Sequence, residues 1–336
     1  PPPPHSQSFP SKGRSTILAA FAFFSVLLIT RSLRSTAERR RSGPNNVDLV
    51  IKNAAPFGVP SPMCEASSGR CREDPSVPGA RTESSARSRD QYERWFEAHA
   101  ALKLSAREFD RKRQRQPEEE GKRQEREKRP LVFLGDSIAE SLLGTSMGRE
   151  SERTAGSPEV LDGTYKAGGD WDPLVLAVSG DQTQHLLYRL IHGELTTTIA
   201  DDPECVFVVL IGTNNLGSGF LPEATTKGIL AVAEYLMENA RGRAVLLSLL
   251  PRGDSDQVSQ LCPPRCDEDG GPITTLLPDV DKVNLRLRDA VPDISARYDG
   301  RLVLIDCGQP FLDVGSSLDG TGGGVRADLM PDLLHP

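Results

Sequence analysis

The chain has 336 residues, with 40 basic and 47 acidic side chains, and its net charge of -7 excludes a globally basic nucleic-acid-binding protein. Its hydrophobic content of 37% is low beside the roughly 45–50% usual for a folded chain (a figure that also counts Gly), so part of the chain contributes nothing to a core. The deficit lies before residue 130, which predicts one folded domain behind a long tail rather than two domains.

Residues 1–14 form a Pro-rich start without an initiator Met. Ser15 to Thr30 is a run of sixteen uncharged residues, close to the roughly 17–25 that span a bilayer, and it is read as a short membrane anchor, with a cleaved signal as the alternative. Lys12 and Arg14 precede it and Arg31, Arg34, Arg39, Arg40 and Arg41 follow, a basic excess that favours the following side facing the cytoplasm. Residues 31–90 are rich in Pro, Gly, Ser, Arg and Glu without helical or strand period, and are expected to be a disordered linker. The folded domain is expected over 91–336. It opens with Tyr92, Trp95, Phe96, His99, Leu102, Leu104 and Phe109 on the face of an amphipathic helix. Arg107 to Arg129 mixes charges of both signs, the pattern of a solvated segment rather than of a nucleic-acid contact.

Five short apolar runs follow: Leu131–Leu134, Leu174–Val178, Cys205–Ile211, Arg243–Leu250 and Arg301–Ile305. Helical patterns separate them at Ile138–Met147, Gln182–Leu195, Glu223–Asn239 and Lys282–Ala290. Continuously apolar strands alternating with helices predict an α/β fold, a parallel five-stranded sheet covered on both faces. Ligands then bind beyond the carboxyl ends of the strands, where Asp136-Ser137, Gly180-Asp181, Thr213–Asn215, Pro251–Gly253 and Asp306 stand.

A serine at a sharp strand-to-helix turn is exposed, and the helix start offers N–H groups to an oxyanion. Ser137 holds that position but needs a base, and the base needs an orienting group. Of the five His, His5 lies in the start, His99 on the first helix, and His185 and His192 read as ordinary helix residues. His335 alone has a carboxylate three residues away in a sheet-top loop, Asp332. Gly180 offers a backbone N–H and Asn214 a side-chain amide to the oxygen of a tetrahedral intermediate; taken singly, each also reads as ordinary turn chemistry.

Ser137, Gly180, Asn214 and His335 occur in the chain order of the four blocks that define the SGNH, or GDSL-type, hydrolases. Leu131-Val-Phe-Leu-Gly-Asp-Ser-Ile138 resembles the first block and Asp332-Leu-Leu-His335 the last. Ser179 to Leu190, Gly193-Glu-Leu195 and Ile211 to Asn215 are similar to the platelet-activating-factor acetylhydrolase catalytic subunits, as are Arg94-Trp95, Leu249 to Gly253, Phe311-Leu312 and Asp319-Gly320. The resemblance covers about 90–336. It implies a three-layer, doubly wound sheet in the flavodoxin-like order 2-1-3-4-5 and a serine esterase without metal or organic cofactor. It further implies Ser137 as nucleophile, His335 as base and Asp332 as its orienting group, with the Ser137 and Gly180 N–H groups and the Asn214 amide as oxyanion hole. Asn215 stands where many members carry Asp. The helix that the resemblance places after His335 lies beyond Pro336, so the chain reads as a fragment. The expected substrate is a small acyl ester, first of all acetyl, of a lipid or carbohydrate, with residues 162–173 and 254–278 as insertions walling the pocket. The rival reading is a non-catalytic membrane-tethered binding module on the same fold. Of six Cys, Cys64 and Cys71 fall in the linker, Cys262 and Cys266 in a Pro-rich loop, and Cys205 and Cys307 near strand termini; the close pairs fit either disulfides or free thiols, and no zinc pattern is present.

Overall fold

The computed structural model describes residues 73–336 apart from 84, 85, 87, 115–127, 167, 168, 254, 255, 263–265, 268 and 314–323. The start, the anchor segment 15–30, the linker as far as 72, and with them His5, Cys64 and Cys71 lie outside the described residues. Among the described residues no helix is long and apolar enough to cross a membrane.

The five apolar runs form strands β1 (Arg129–Gly135), β2 (Trp171–Ala177), β3 (Val206–Leu210), β4 (Arg243–Leu247) and β5 (Leu302–Ile305). All pair in parallel in the order β2-β1-β3-β4-β5, as expected. Every residue of β3, and all but the first of β1 and β4, are buried, so side chains on both sides of the sheet are covered by helices. Gly135 pairs with Ala177 on one side and Leu210 on the other, which brings three strand ends level at one edge. A side chain at Gly135 would put Cβ 2.3 Å from the Leu210 carbonyl oxygen, so only glycine allows this approach beside Ser137.

Helix α1 (Arg89–Gln114) buries Trp95, Ala98, His99, Leu102, Ala106 and Phe109, while Phe96 and Leu104 of the predicted face stay exposed. The helix expected over Ile138–Met147 is much shorter. Helix α2 (Ser137–Glu140) gives way to one tight turn and then to a two-residue hairpin, Thr145–Ser146 with Arg149–Glu150. The cause is Glu140, whose carboxylate accepts the N–H groups of Met147 and Gly148 and the Thr145 hydroxyl, drawing the chain back on itself. Helix α3 (Thr183–Arg189) runs into a wider turn, Leu190–Glu194, broken where Gly193 adopts φ +109°. Helices α4 (Thr213–Gly217), α5 (Pro222–Asn239) and α6 (Leu277–Arg297) follow, the last longer than its periodic centre suggested.

Two further expectations are corrected. Residues 31–90 were to be linker throughout, yet 73–81 lie against the domain as an N-terminal strap: Thr183 donates to the Pro75 carbonyl, Gln184 to Glu73, the Gly79 N–H to the Gln184 carbonyl, and Lys227 to Asp74. Composition hid this, because the contacts are polar and their partners lie about a hundred positions away. The described residues of 162–173 do not wall the pocket either. Tyr165 is buried edge-on to Phe133, and Trp171 to Pro173 pair with Arg129 to Leu131 as the first half of β2. In the Pro-rich loop Cys262 and Cys266 form a disulfide; Cys205 and Cys307 are not in disulfides.

Beneath the sheet edge lies one fully buried guanidinium. Arg189 donates through Nε to Asp181 at 2.7 Å, through Nη1 to Glu194, and through Nη2 to the Gly135 carbonyl at 3.3 Å. Trp95 adds a 2.6 Å bond to Asp181, and His99 a 2.7 Å contact to Glu194. Arg189→Met is expected to cost about 3–5 kcal/mol, since it strands two buried carboxylates; urea unfolding checks this, and a loss under about 1 kcal/mol refutes the account.

Candidate active site

The loops after β1, β2, β3 and β4 and the C-terminal loop meet at the level edge of the sheet, around a cavity of about 470 Å³. Asp136 caps α2 by accepting the Ile138 N–H at 3.1 Å, which fixes the turn that presents Ser137. Ser137 Oγ lies 2.8 Å from His335 Nε2, and His335 Nδ1 lies 2.6 Å from Asp332 Oδ2. The other Asp332 oxygen accepts the N–H groups of His335 at 2.7 Å and Leu334 at 3.1 Å, so the Asp-x-x-His step is one closed turn. Leu333 sits at φ +57° within it, and its carbonyl accepts the Gly253 N–H at 2.8 Å, anchoring the loop beyond the end of β4. With Nδ1–H donated to Asp332, Nε2 is the acceptor that faces the serine hydroxyl.

Gly180 and Asn214 line the same cavity. Gly180 has φ +79°, and a Cβ there would lie 2.8 Å from the Arg81 guanidinium, so the position excludes side chains twice over. The Asn214 amide donates to the Asp181 carbonyl at 3.0 Å and to Asp136 Oδ2 at 3.2 Å. Asn215, where Asp is common in the resembling family, is fully buried; its oxygen accepts the Thr183 N–H and its amide donates to Gln184 Oε1, a donor role that a carboxylate cannot fill. All five residues singled out in the sequence, Ser137, Gly180, Asn214, Asp332 and His335, therefore line one cavity.

Three others were missed. Glu140 accepts from the Ser179 N–H and hydroxyl in addition to the hairpin, so one carboxylate ties the loop after β2 to the turn after β1. Its spacing from Ser137 is that of any helix residue, and nothing local marks it. Arg252, within the strand-end residues Pro251–Gly253 already singled out, lines the cavity and donates to the Thr213 carbonyl at 2.9 Å. Arg81 reaches the cavity from the strap. His185, read as an ordinary helix residue, is buried and lines the cavity, its Nδ1 accepting the Gln182 N–H at 3.1 Å. His192 does lie on the surface, stacked on Tyr188. No described residue of 162–173 or 254–278 lines the cavity. Among the described residues no group of three His, Cys, Asp or Glu is placed to hold a metal ion.

Burial opposes charge on Asp332, but the bonds from His335 and Leu334 outweigh it and hold the carboxyl well below the usual carboxylate range. Burial pushes Asp136 up to about 7, against the Ile138 N–H and with the help of the Asp181 charge. Burial also pushes His185 down to about 4, so it is neutral at pH 7.

A model of the GDSL-like lipase/acylhydrolase family matches residues 133–336. The chain belongs to this family. Among curated proteins it is similar to platelet-activating factor acetylhydrolase IB subunit alpha1 of Bos taurus and of Homo sapiens, each 36% identical over 124 residues, 37% of this chain and 44% of the relative. The matched stretch thus spans less than half the length of these relatives. Solved structures similar to it include a lipolytic G-D-S-L family protein from Veillonella parvula, 16% identical over 61% of this chain and 93% of that one at a TM-score of 0.39.

The raised Asp136 has a consequence for stability. An unfolded chain releases this proton near pH 4 and the folded chain near 7, so folding loses stability as pH rises between the two, by at most about 4 kcal/mol. The neutral buried His185 acts oppositely, weakening the fold as pH falls from about 6.5 towards 4. Comparison with Asp136→Asn isolates the first effect: the variant's stability relative to wild type should rise by about 2–4 kcal/mol from pH 4 to 7.5 in urea titrations. A difference independent of pH refutes the assignment.

Proposed function

We propose that this family member is a serine esterase that removes a small acyl group, acetyl first of all, from a lipid or carbohydrate ester through an acyl-enzyme. The observation that carries the proposal is the pair of contacts from Ser137 to His335 at 2.8 Å and from His335 to Asp332 at 2.6 Å, at the mouth of one cavity. Ser137 Oγ attacks the acyl carbon while its proton passes to His335 Nε2, and Asp332 stabilises the resulting imidazolium. The carbonyl oxygen becomes an anion facing the N–H groups of Ser137 and Gly180 and the Asn214 amide, which gives up its longer bond, to Asp136, to take it. Collapse breaks the bond to the alcohol oxygen, which leaves with the proton from His335. Water then loses a proton to the same nitrogen, attacks the acyl carbon, and releases the acid and the Ser137 hydroxyl. The acetyl group is taken from the acetylhydrolases that the chain resembles over 124 residues.

Ser137→Ala is expected to abolish turnover of p-nitrophenyl acetate and covalent labelling by a fluorophosphonate. Asp332→Asn should lower kcat about 10²- to 10⁴-fold and Asn214→Ala about 10²- to 10³-fold with smaller changes in KM. Wild type that neither turns over the ester nor labels would leave a binding module on this fold. The proposal places the enzyme at a membrane through residues 15–30, on hydropathy alone. The full chain should float with lipid vesicles and residues 31–336 should not; equal flotation refutes the anchor.

A further inference from the structure

Of the three proposed oxyanion donors, the Gly180 N–H is the one whose direction its own residue does least to fix. It shares a peptide unit with the Ser179 carbonyl, and because a trans peptide is rigid and planar the two groups point in opposite directions and turn together. Glycine takes φ of either sign at little steric cost, so the peptide before it flips easily unless something outside holds it. Gly180 itself stands at φ +79°.

Arg81 supplies that hold. Its Nη2 donates to the Ser179 carbonyl at 3.4 Å and lies 3.9 Å from Asp181 Oδ1, so one guanidinium bridges the residues on either side of Gly180. A Cβ at Gly180 would fall 2.8 Å from the same nitrogen, a measure of how closely the fork lies against this backbone. Asp181 is fixed in turn by Arg189 and Trp95, and the Ser179 N–H by Glu140 at 2.6 Å. The carbonyl between these two braces is bonded by neither Arg189 nor Glu140, and Arg81 bonds it. Arg81 is buried and lines the cavity with Ser137, Gly180 and Asn214. The strap that delivers it is pinned to the first turn of α3, two residues beyond Asp181, by the bonds from Thr183 to the Pro75 carbonyl and from the Gly79 N–H to the Gln184 carbonyl.

We propose that Arg81 is a positioning residue of the esterase: through the Ser179 carbonyl it holds the Gly180 N–H towards the oxyanion and strengthens it as a donor. A charged donor on a carbonyl polarises the amide, and hydrogen bonds in such a chain reinforce one another. The inference rests on the esterase reading above, in which this N–H is one of three donors, and names the residue that sets its direction. That residue lies before the family-matched residues 133–336.

The test uses p-nitrophenyl acetate, a neutral ester, so that no attraction between Arg81 and a substrate charge enters. Arg81→Gln should lower kcat about 10- to 100-fold, less than the roughly 10²- to 10³-fold of a donor removed outright, with KM changed by less than about 2-fold. Arg81→Lys keeps a charged donor without the fork and should lose about 3- to 10-fold. The inhibition constant of trifluoroacetophenone, whose adduct with a serine carries the oxyanion, should rise by the factor by which kcat/KM falls. That of p-nitroacetanilide, an analogue of the ground state, should stay the same. A residue that served stability alone would lower the urea midpoint and leave kcat and both inhibition constants of the folded enzyme unmoved. Wild-type kcat in folded Arg81→Gln, a loss carried by KM, or an unchanged trifluoroacetophenone constant overturns the assignment. Failure of both variants to fold overturns it too, because Arg81 would then serve the fold and not the reaction. Wild type that neither cleaves the ester nor takes the fluorophosphonate label overturns the esterase reading itself.

Discussion

The Arg189 guanidinium is the constraint on which the rest of the site depends. Its three nitrogens reach the carbonyl just before Asp136-Ser137, the carboxylate just after Gly180, and Glu194, which in turn holds His99 of α1. The nucleophile turn, the loop after β2 and the N-terminal helix are thus fixed to one group that is inaccessible to water. Burial alone would favour the neutral guanidine, but Glu194 and Asp181 outweigh it and keep the charge on Arg189. The geometry cannot slide: a cation with two carboxylates and a carbonyl on a planar fork has one low-energy arrangement. Trp95 closes the cluster from outside, which explains why α1 packs its aromatic residue there rather than merely covering the sheet.

Glu140 does comparable work on the other side of Ser137. It collects five hydrogen bonds from the hairpin and from Ser179, so the loops that flank Gly180 are braced from both directions. Preorganised donors are worth most in catalysis when they need no rearrangement as charge develops, and two buried ionic braces supply that rigidity. Asn215 completes the frame by fastening the loop after β3 to the start of α3. The polar interior at this edge is therefore a scaffold for loops, while the apolar interior of the strands sets only where those loops begin.

That division explains what was legible in the sequence. Strand positions were readable because burial on both faces forces consecutive apolar residues, and Ser137, Asp332 and His335 were readable because their spacing encodes a local turn. Gly180 and Asn214 were singled out instead by their joint place at successive strand ends and by the chain order that resembles the four family blocks. Contacts across many positions leave no local pattern. Arg81 bonds to a carbonyl 98 residues away, in a segment whose composition reads as linker. The failed helix over Ile138–Met147 has the same origin, since the periodicity is genuine and a single carboxylate overrides it by capturing two N–H groups downstream.

The two halves of the site differ in their access to water, and this shapes how it can work. Asp136, Asp181 and the loop behind Gly180 are buried, whereas Asp332 is half exposed and reaches His335 through a turn at the chain's surface. The anion of a tetrahedral intermediate would thus form against dry, braced donors, where each hydrogen bond counts most. The base would exchange protons on the side that water and leaving alcohol share. Asp332 keeps its charge there because the bonds from His335 and Leu334 outweigh the cost of its partial burial.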